Sequence, residues 1–170
     1  MKKVKLLLTF AICAMISISC SKDDDSSSSS NAPEGVPTGK IVPVSERSIV
    51  LTGFDDANEG KGAMAQVEWE YDNGRFYSTG SNCTENFDEN IESDLFISFM
   101  PNGDLEYRDV DGELLYTRTW EWADSKKGVH LDGETDVTFL FSELNKDRVV
   151  YYSSQNYGDC TLISYEVLVK

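Results

Sequence analysis

The sequence predicts an all-β domain: an antiparallel meander of about eight to ten strands closing into a β-barrel, with a β-sandwich as the alternative. Three observations carry this. From Asp94 to Trp122 apolar residues alternate with polar ones between two tight-turn signals. The same grammar, a period of two followed by Gly, Asn or Asp, recurs as far as Lys170. No stretch sustains a helical period over about ten residues, and short local returns favour an up-and-down barrel over a Greek-key sandwich.

Taken in order, Ser48 to Thr52 is predicted as a short first strand, and Gly53 to Gly62 as an acidic, glycine-punctuated loop. Val67, Trp69 and Tyr71 then share one strand face, with Gln66, Glu68 and Glu70 on the other. Asp72-Asn73-Gly74 predicts a hairpin turn, with Arg75 to Thr79 as the return strand. Gly80 to Ser93 has no pattern. In the central stretch Leu95, Ile97 and Phe99 alternate with Phe96, Ser98 and Met100. Pro101-Asn102-Gly103-Asp104 supplies a turn, because proline pre-sets φ and Asn-Gly accepts positive φ. Leu105 to Arg108 returns, Asp111-Gly112 turns again, and Glu113 to Trp122 is the third strand. Leu114, Tyr116, Trp120 and Trp122 are in phase there; Arg118 shares that phase, so a charge interrupts the face or a bulge carries it on. Val129 to Leu131, Val137 to Phe141, Arg148 to Ser153 and Cys160 to Val169 complete the strands. In the last, Ile163, Tyr165, Val167 and Val169 alternate with Leu162, Ser164, Glu166 and Leu168.

Ahead of this pattern, Met1 to Lys5 is a basic segment and Leu6 to Ile18 an apolar one, too short and wrongly flanked to span a membrane. Ser19-Cys20 follows and resembles a bacterial lipoprotein signal, in which a small residue precedes the cysteine that is lipidated and becomes N-terminal. An ordinary secretory signal cut near Ser19 is the alternative. Ser21-Lys22-Asp23-Asp24-Asp25 resembles the export signal of surface-exposed Bacteroidota-type lipoproteins, against the alternative of a plain acidic tether. The expected organisation is therefore a signal peptide over 1–19, lipidated Cys20 with a flexible Ser-rich tether to residue 46, and one domain over 47–170. The expected location is the cell surface, on the outer membrane, held by the lipid anchor.

The formal net charge is −15, and losing Lys2, Lys3 and Lys5 with the signal lowers it to −18. That excludes nucleic acid, which needs a basic footprint, and disfavours direct adsorption to anionic headgroups. Apart from Cys13 in the signal and Cys20 at the anchor, Cys83 and Cys160 remain. An even remainder in an exported chain predicts one disulfide, with two buried free thiols as the alternative.

Few motifs point to chemistry. Gly60-Lys61-Gly62-Ala63-Met64-Ala65 matches a dinucleotide fingerprint but precedes a strand, where that fingerprint needs a helix. His130 is the only histidine. With no Cys-x-x-Cys, a conventional structural zinc site is excluded, and His130 is expected to face solvent on a strand. The groups Asp109, Asp111, Glu113 and Asp55, Asp56, Glu59 are candidates for calcium, with a solvated turn as the alternative. Glu68 and Glu70 share one strand face, which is poor geometry for a glycosidase. No catalytic residue, metal or cofactor is assigned. Trp69, Tyr71, Tyr116, Trp120 and Trp122 are the candidate ligand-binding residues, as a cavity lining or a sugar-stacking platform; the alternative is that they fill a small barrel.

The apolar strand, Pro-Asn-Gly-Asp turn and Trp-bearing third strand of Asp94 to Trp122 resemble the lipocalin-like domain of Bacteroidota-type lipoproteins. The hairpin from Val137 to Tyr152 is similar to that family's next segment, so the resemblance covers roughly Asp94 to Lys170. It implies a lipocalin-like barrel and non-enzymatic binding of a small hydrophobic or glycan-like ligand. Two other classes stand beside that expectation. One is a structural or interaction subunit of a surface complex with a filled core, working through the acidic loops Asp55–Glu59 and Glu85–Asp94 with a partner the sequence does not name. The other is a carboxylate hydrolase.

Overall fold

The computed structural model describes residues 31–54, 67–83 and 86–170. The signal, Cys20, the Gly60–Ala65 motif, the Asp55–Glu59 acidic group and Glu85 lie outside the described residues.

Among the described residues nine strands follow one α-helix: α1 (Val44–Thr52), β1 (Trp69–Gly80), β2 (Asp88–Ile91), β3 (Phe96–Phe99), β4 (Asp104–Arg108), β5 (Leu114–Trp122), β6 (Gly128–Leu131), β7 (Phe139–Leu144), β8 (Arg148–Tyr157) and β9 (Cys160–Val169), with a 3-10 turn at Asp124–Lys126 between β5 and β6. All pairings within the sheet are antiparallel. β1 and β3 to β9 form a closed eight-stranded barrel, because β1 pairs with β9 from Glu70↔Val169 to Gly80↔Cys160. β2 is an extra strand lying on the second half of β1. The expected meander from Asp94 to Trp122 is present as β3, β4 and β5, in register Ile97↔Tyr107 and Tyr107↔Tyr116.

Two elements depart from the sequence expectation. Ser48 to Thr52 is not a strand but the second half of α1. Its β-prone residues are overridden because the helix buries Ser48, Leu51 and Thr52 on one stripe. Gly53 ends it in the left-handed conformation at φ 76°, and its N–H returns to the Ile49 carbonyl at 3.0 Å. Nor does Asp72-Asn73-Gly74 turn the chain. β1 runs straight through it, absorbing one extra residue as a bulge between Tyr71 and Asn73. β2 was invisible as a strand because Asp-Glu-Asn-Ile is exposed throughout and carries no alternation.

α1 closes one end of the barrel. Fully buried Leu51 plugs it, and the Trp69 indole N–H donates to the Leu51 carbonyl at 3.0 Å. Arg47 ties the helix down, donating to the Val42 carbonyl at 3.1 Å and to that of Lys126 at 2.8 Å. No helix among the described residues is long and apolar enough to cross a membrane.

There are two apolar clusters. The larger fills the barrel with Leu51, Trp69, Ile97, Phe99, Leu105, Trp120, Val129, Leu131, Phe141 and Leu168 among others. The smaller lies outside the wall, where Tyr77, Val150, Tyr152, Ile163 and Val167 pack under Val36. Residues the sequence assigns to the tether form this cover. Tyr77 donates to the Glu34 carbonyl at 2.6 Å, Ser142 to that of Pro37 at 2.7 Å, and the Gly39 N–H to Ser142 at 3.1 Å. Val36 and Val42 are buried, so the folded unit begins before residue 47.

Cys83 and Cys160 form the expected disulfide, with Cα atoms 4.9 Å apart. It pins the end of β1 to the start of β9 and closes a 77-residue separation. In the chain-entropy account such a loop contributes about 4 kcal/mol.

The outer cover yields a prediction. Val36→Asp places an unpaired charge on the smaller cluster and should lower unfolding stability by about 2 kcal/mol, read from the urea midpoint. An unchanged midpoint would mean that residues 31–40 do not help hold the wall.

Candidate functional site

Strand periodicity decides what enters the barrel. On β9 the more apolar face, Ile163, Tyr165, Val167 and Val169, turns outward beneath the N-terminal segment. Leu162, Ser164, Glu166 and Leu168 therefore point inward, which carries a carboxylate into the barrel. The register sets Gly74 of β1, Glu166 of β9 and Tyr151 of β8 abreast. The Tyr151 hydroxyl donates a hydrogen bond to Glu166 Oε2. Tyr151 itself is wedged edge-on against Phe99 and Phe139, with ring centroids 6.3 and 6.0 Å apart.

The opposing wall brings Tyr107 of β4 against Tyr116 of β5, stacked at 4.4 Å. Arg118 sits one step further along β5, paired with inward Leu105, so a charge does interrupt that face. Its guanidinium meets Asp132 at 2.8 Å and lies within reach of the Tyr107 hydroxyl. Asp132 adopts φ 54° just past β6, and its other oxygen accepts the Thr119 N–H at 3.1 Å. This end of the barrel is the one opposite α1. It is polar where the side chains packed under α1 are mostly apolar.

Electrostatics follow from burial. Desolvation pushes the Glu166 carboxyl above the usual carboxylate range, and the Tyr151 hydrogen bond and the Arg118 charge only partly oppose it. Burial, then the neighbouring Glu166, raises the phenols of Tyr71, Tyr107 and Tyr151, so all three keep their protons. Asp132 is held below its ordinary range by the Thr119 N–H and Arg118.

Tyr71 completes the cluster. Only 7% exposed, it carries the one buried side-chain polar atom without a hydrogen-bond partner among the described residues. The bulge lets its ring lie along β1, so the hydroxyl sits directly over Gly74, where any Cβ would collide with it. Gly74 is thus a close-approach glycine rather than a turn residue.

The five aromatics singled out from sequence do not form one platform. Trp69 is fully buried at the α1 end, with Lys170 over its ring at 5.0 Å. Trp120 is buried too, its indole N–H donating to the Met100 carbonyl at 2.9 Å. Trp120 and half-buried Trp122 edge an open cleft of about 320 Å³ against Ser48, Thr52 and Phe54 of α1 and its end. Only Tyr71 and Tyr116 belong to the polar end. Sequence reasoning missed Glu166, Tyr107 and Tyr151; the one available signal was a glutamate inside an otherwise apolar final strand, matched by Arg118 in phase with tryptophans.

The remaining candidates are quiet. His130 lies half-buried on the outer face of β6, with Nδ1 3.2 Å from the Val137 carbonyl. It borders a shallow cleft of about 410 Å³ with Asp124, Lys127 and Thr138. Asp109 caps its own turn, accepting the N–H groups of Asp111 at 3.0 Å and Glu113 at 2.8 Å. Glu68 and Glu70 are exposed beside buried Trp69. No group of three or more His, Cys, Asp or Glu among the described residues is arranged to hold a metal ion. Comparison with protein-family models, characterised proteins and solved structures finds no match, so the geometry alone carries the functional reading.

Two predictions follow from the cluster. Because Glu166 has a raised folded value, its contribution to stability is intact in acid and lost as pH rises through that value. Glu166→Gln should therefore gain stability relative to the wild type as pH rises above about 4. The depressed carboxyls Asp88 and Asp132 act in the opposite sense but are common to both proteins and cancel in the difference. Parallel pH profiles would mean that Glu166 is not desolvated. Separately, Gly74→Ala should cost about 1–3 kcal/mol by overpacking, and adding Tyr71→Phe should recover only part of that loss in thermal melts, because the new Cβ also meets the Tyr165 carbonyl oxygen at 2.9 Å.

Proposed function

We propose that this chain is a surface lipoprotein, anchored in the outer membrane through Cys20, whose lipocalin-like barrel binds a small ligand without catalysis. The single observation that carries the binding reading is the pair of unmet polar groups inside the barrel. The Tyr71 hydroxyl has no partner, and the Glu166 carboxyl holds one hydrogen bond where it has room for several. A buried polar group left unsatisfied costs about 1–3 kcal/mol, and a bound molecule is one way to offset it. An eight-stranded barrel has room for filled side chains or one small ligand; here the core includes the phenols of Tyr71, Tyr107 and Tyr151 beside the Glu166 carboxyl. That favours a hydroxyl-rich, glycan-like ligand over a purely hydrophobic one. The anchor reading is supported by the Ser19-Cys20 junction and the Ser-Lys-Asp-Asp-Asp run that follows it.

A second reading has one observation in its favour. The β4–β5 hairpin carries Val110, Leu114, Leu115 and Tyr116 at 67, 45, 49 and 48% exposure, an apolar tip suited to a protein partner.

Native mass spectrometry of the full chain, extracted in detergent from its membrane, tests both parts. The expected result is a diacyl or triacyl mass increment lost in Cys20→Ala, together with a non-covalent adduct that leaves on denaturation. An unmodified Cys20 would remove the anchor. A chain that stays bare after incubation with soluble glycan extract would remove the binding reading and favour the hairpin tip.

A further inference from the structure

We propose that the cleft between α1 and the β3–β4 turn binds one neutral pyranose ring, with two adjacent hydroxyls on the Trp122 backbone and the ring against Trp120 and Trp122. This site lies at the α1 rim, apart from the Glu166 cluster, and does not depend on what the barrel interior takes. Three observations support it.

The first is the backbone of β5. The Thr119 carbonyl accepts the Asp132 N–H, and the Ala123 N–H donates to the Gly128 carbonyl, both at 2.9 Å, so these odd-numbered residues serve the β6 side. Alternation in an antiparallel ladder turns the backbone groups of Trp120 and Trp122 toward β4. The Trp120 N–H is taken there by the Gly103 carbonyl at 2.8 Å. β4 begins at Asp104, opposite Thr119, so no strand among the described residues lies opposite Trp122. Its N–H and C=O face the gap between the turn at residues 101–103 and α1, where the cleft opens. A donor and an acceptor on one side of one residue suit a vicinal diol: one hydroxyl donates to the carbonyl and its neighbour accepts from the N–H.

The second is the shape and stiffness of the walls. The cleft measures about 320 Å³, at the small end of the roughly 300–1,000 Å³ that ligand sites span, so it suits one ring. Trp120 and Trp122 give it an apolar surface of the kind that the C–H face of a sugar covers. Lys126, which does not line the cleft, lies over the Trp122 ring at 5.3 Å and donates to Ser48 Oγ of α1 at 2.6 Å. Ser125 and Lys126 adopt left-handed φ values of 56° and 51°, and Arg47 of α1 donates to the Lys126 carbonyl at 2.8 Å. Such backbone persists only where its neighbours hold it. The α1 wall and the Trp122 wall are thus tied into one frame, which lowers the ordering cost of binding.

The third is the rim. Exposed Glu121 offers a carboxylate that accepts hydroxyl protons and repels anions. The Asn102 side chain is committed to Asp104, donating to its carboxylate at 2.7 Å and accepting its N–H at 3.1 Å, so it shapes the lip. The chain's net charge of −15 adds to the exclusion of acidic sugars.

The test titrates methyl glucoside, methyl glucuronide and N-acetylalanine N-methylamide, a single extended peptide unit, into the full chain in detergent near pH 7. Binding is read residue by residue from backbone amide NMR. Methyl glucoside should give saturable shifts centred on the Trp122 and Gly103 amides, with a Kd on the order of 1 mM for a ligand of this size. The glucuronide should bind about threefold more weakly through repulsion by Glu121. Glu121→Ala should weaken the glucoside several-fold at an unchanged melting temperature and erase the difference between the two sugars. Shifts centred on Gly74 and Glu166 would place the sugar in the interior and overturn the cleft. Tighter binding of the peptide unit would overturn the sugar in favour of an added strand. No saturable shift with any probe would overturn the site while leaving the interior reading standing.

Discussion

Everything in this molecule depends on the seam between β1 and β9. It runs antiparallel from Glu70↔Val169 to Gly80↔Cys160 and is locked at its far end by the disulfide. Without it the sheet would expose two long edges, each a row of unpaired N–H and C=O groups. With it, every residue of eight strands is committed to inside or outside. The first and last strands are thereby made one wall, which is also where the N-terminal segment lies down and where Gly74 and Glu166 become neighbours.

The seam also explains why a short chain has two apolar clusters. A closed barrel has one interior, but β8 is apolar on both faces: Val149 and Tyr151 point in while Val150 and Tyr152 point out. A wall of that kind needs a cover, and residues 31–40 provide it with backbone hydrogen bonds to Ser142 and Leu144 as well as the Val36 side chain. Because the outer cluster takes the apolar face of β9, the inner face is left with Ser164 and Glu166. The buried carboxylate is therefore a consequence of how the outside is packed.

The two ends of the barrel are built from different chemistry. At the α1 end, Leu51, Trp69, Trp120 and Leu144 fill the space, with both indole N–H groups satisfied by backbone carbonyls. At the other end the side chains are phenols, a guanidinium and a carboxylate, with β6 and β7 stopping short while the β4–β5 and β8–β9 hairpins continue. The barrel thus gathers apolar side chains toward one end and polar ones toward the other along its own axis.

The sequence by itself located the strands from β3 onward. Alternation and turn chemistry located β3 to β9, because side chains in a strand report their face every second residue and Pro, Asn, Gly and Asp mark the returns. It also led to the expected Cys83–Cys160 bond, because setting aside Cys13 and Cys20 near the N-terminus leaves two cysteines, with two free thiols as the alternative that the structure removes. Tertiary structure alone decided the rest. Ser48 to Thr52 became helix because a barrel end needed a plug, a demand that local propensity does not encode. Asp72-Asn73-Gly74 became a bulge because β1 had to reach both β3 and β9. Most of all, alternation along β9 separates two faces without saying which is inside. That choice belonged to the cover over Val150 and Val167, and it is what placed Glu166 beside Tyr71, two residues 95 positions apart in the chain.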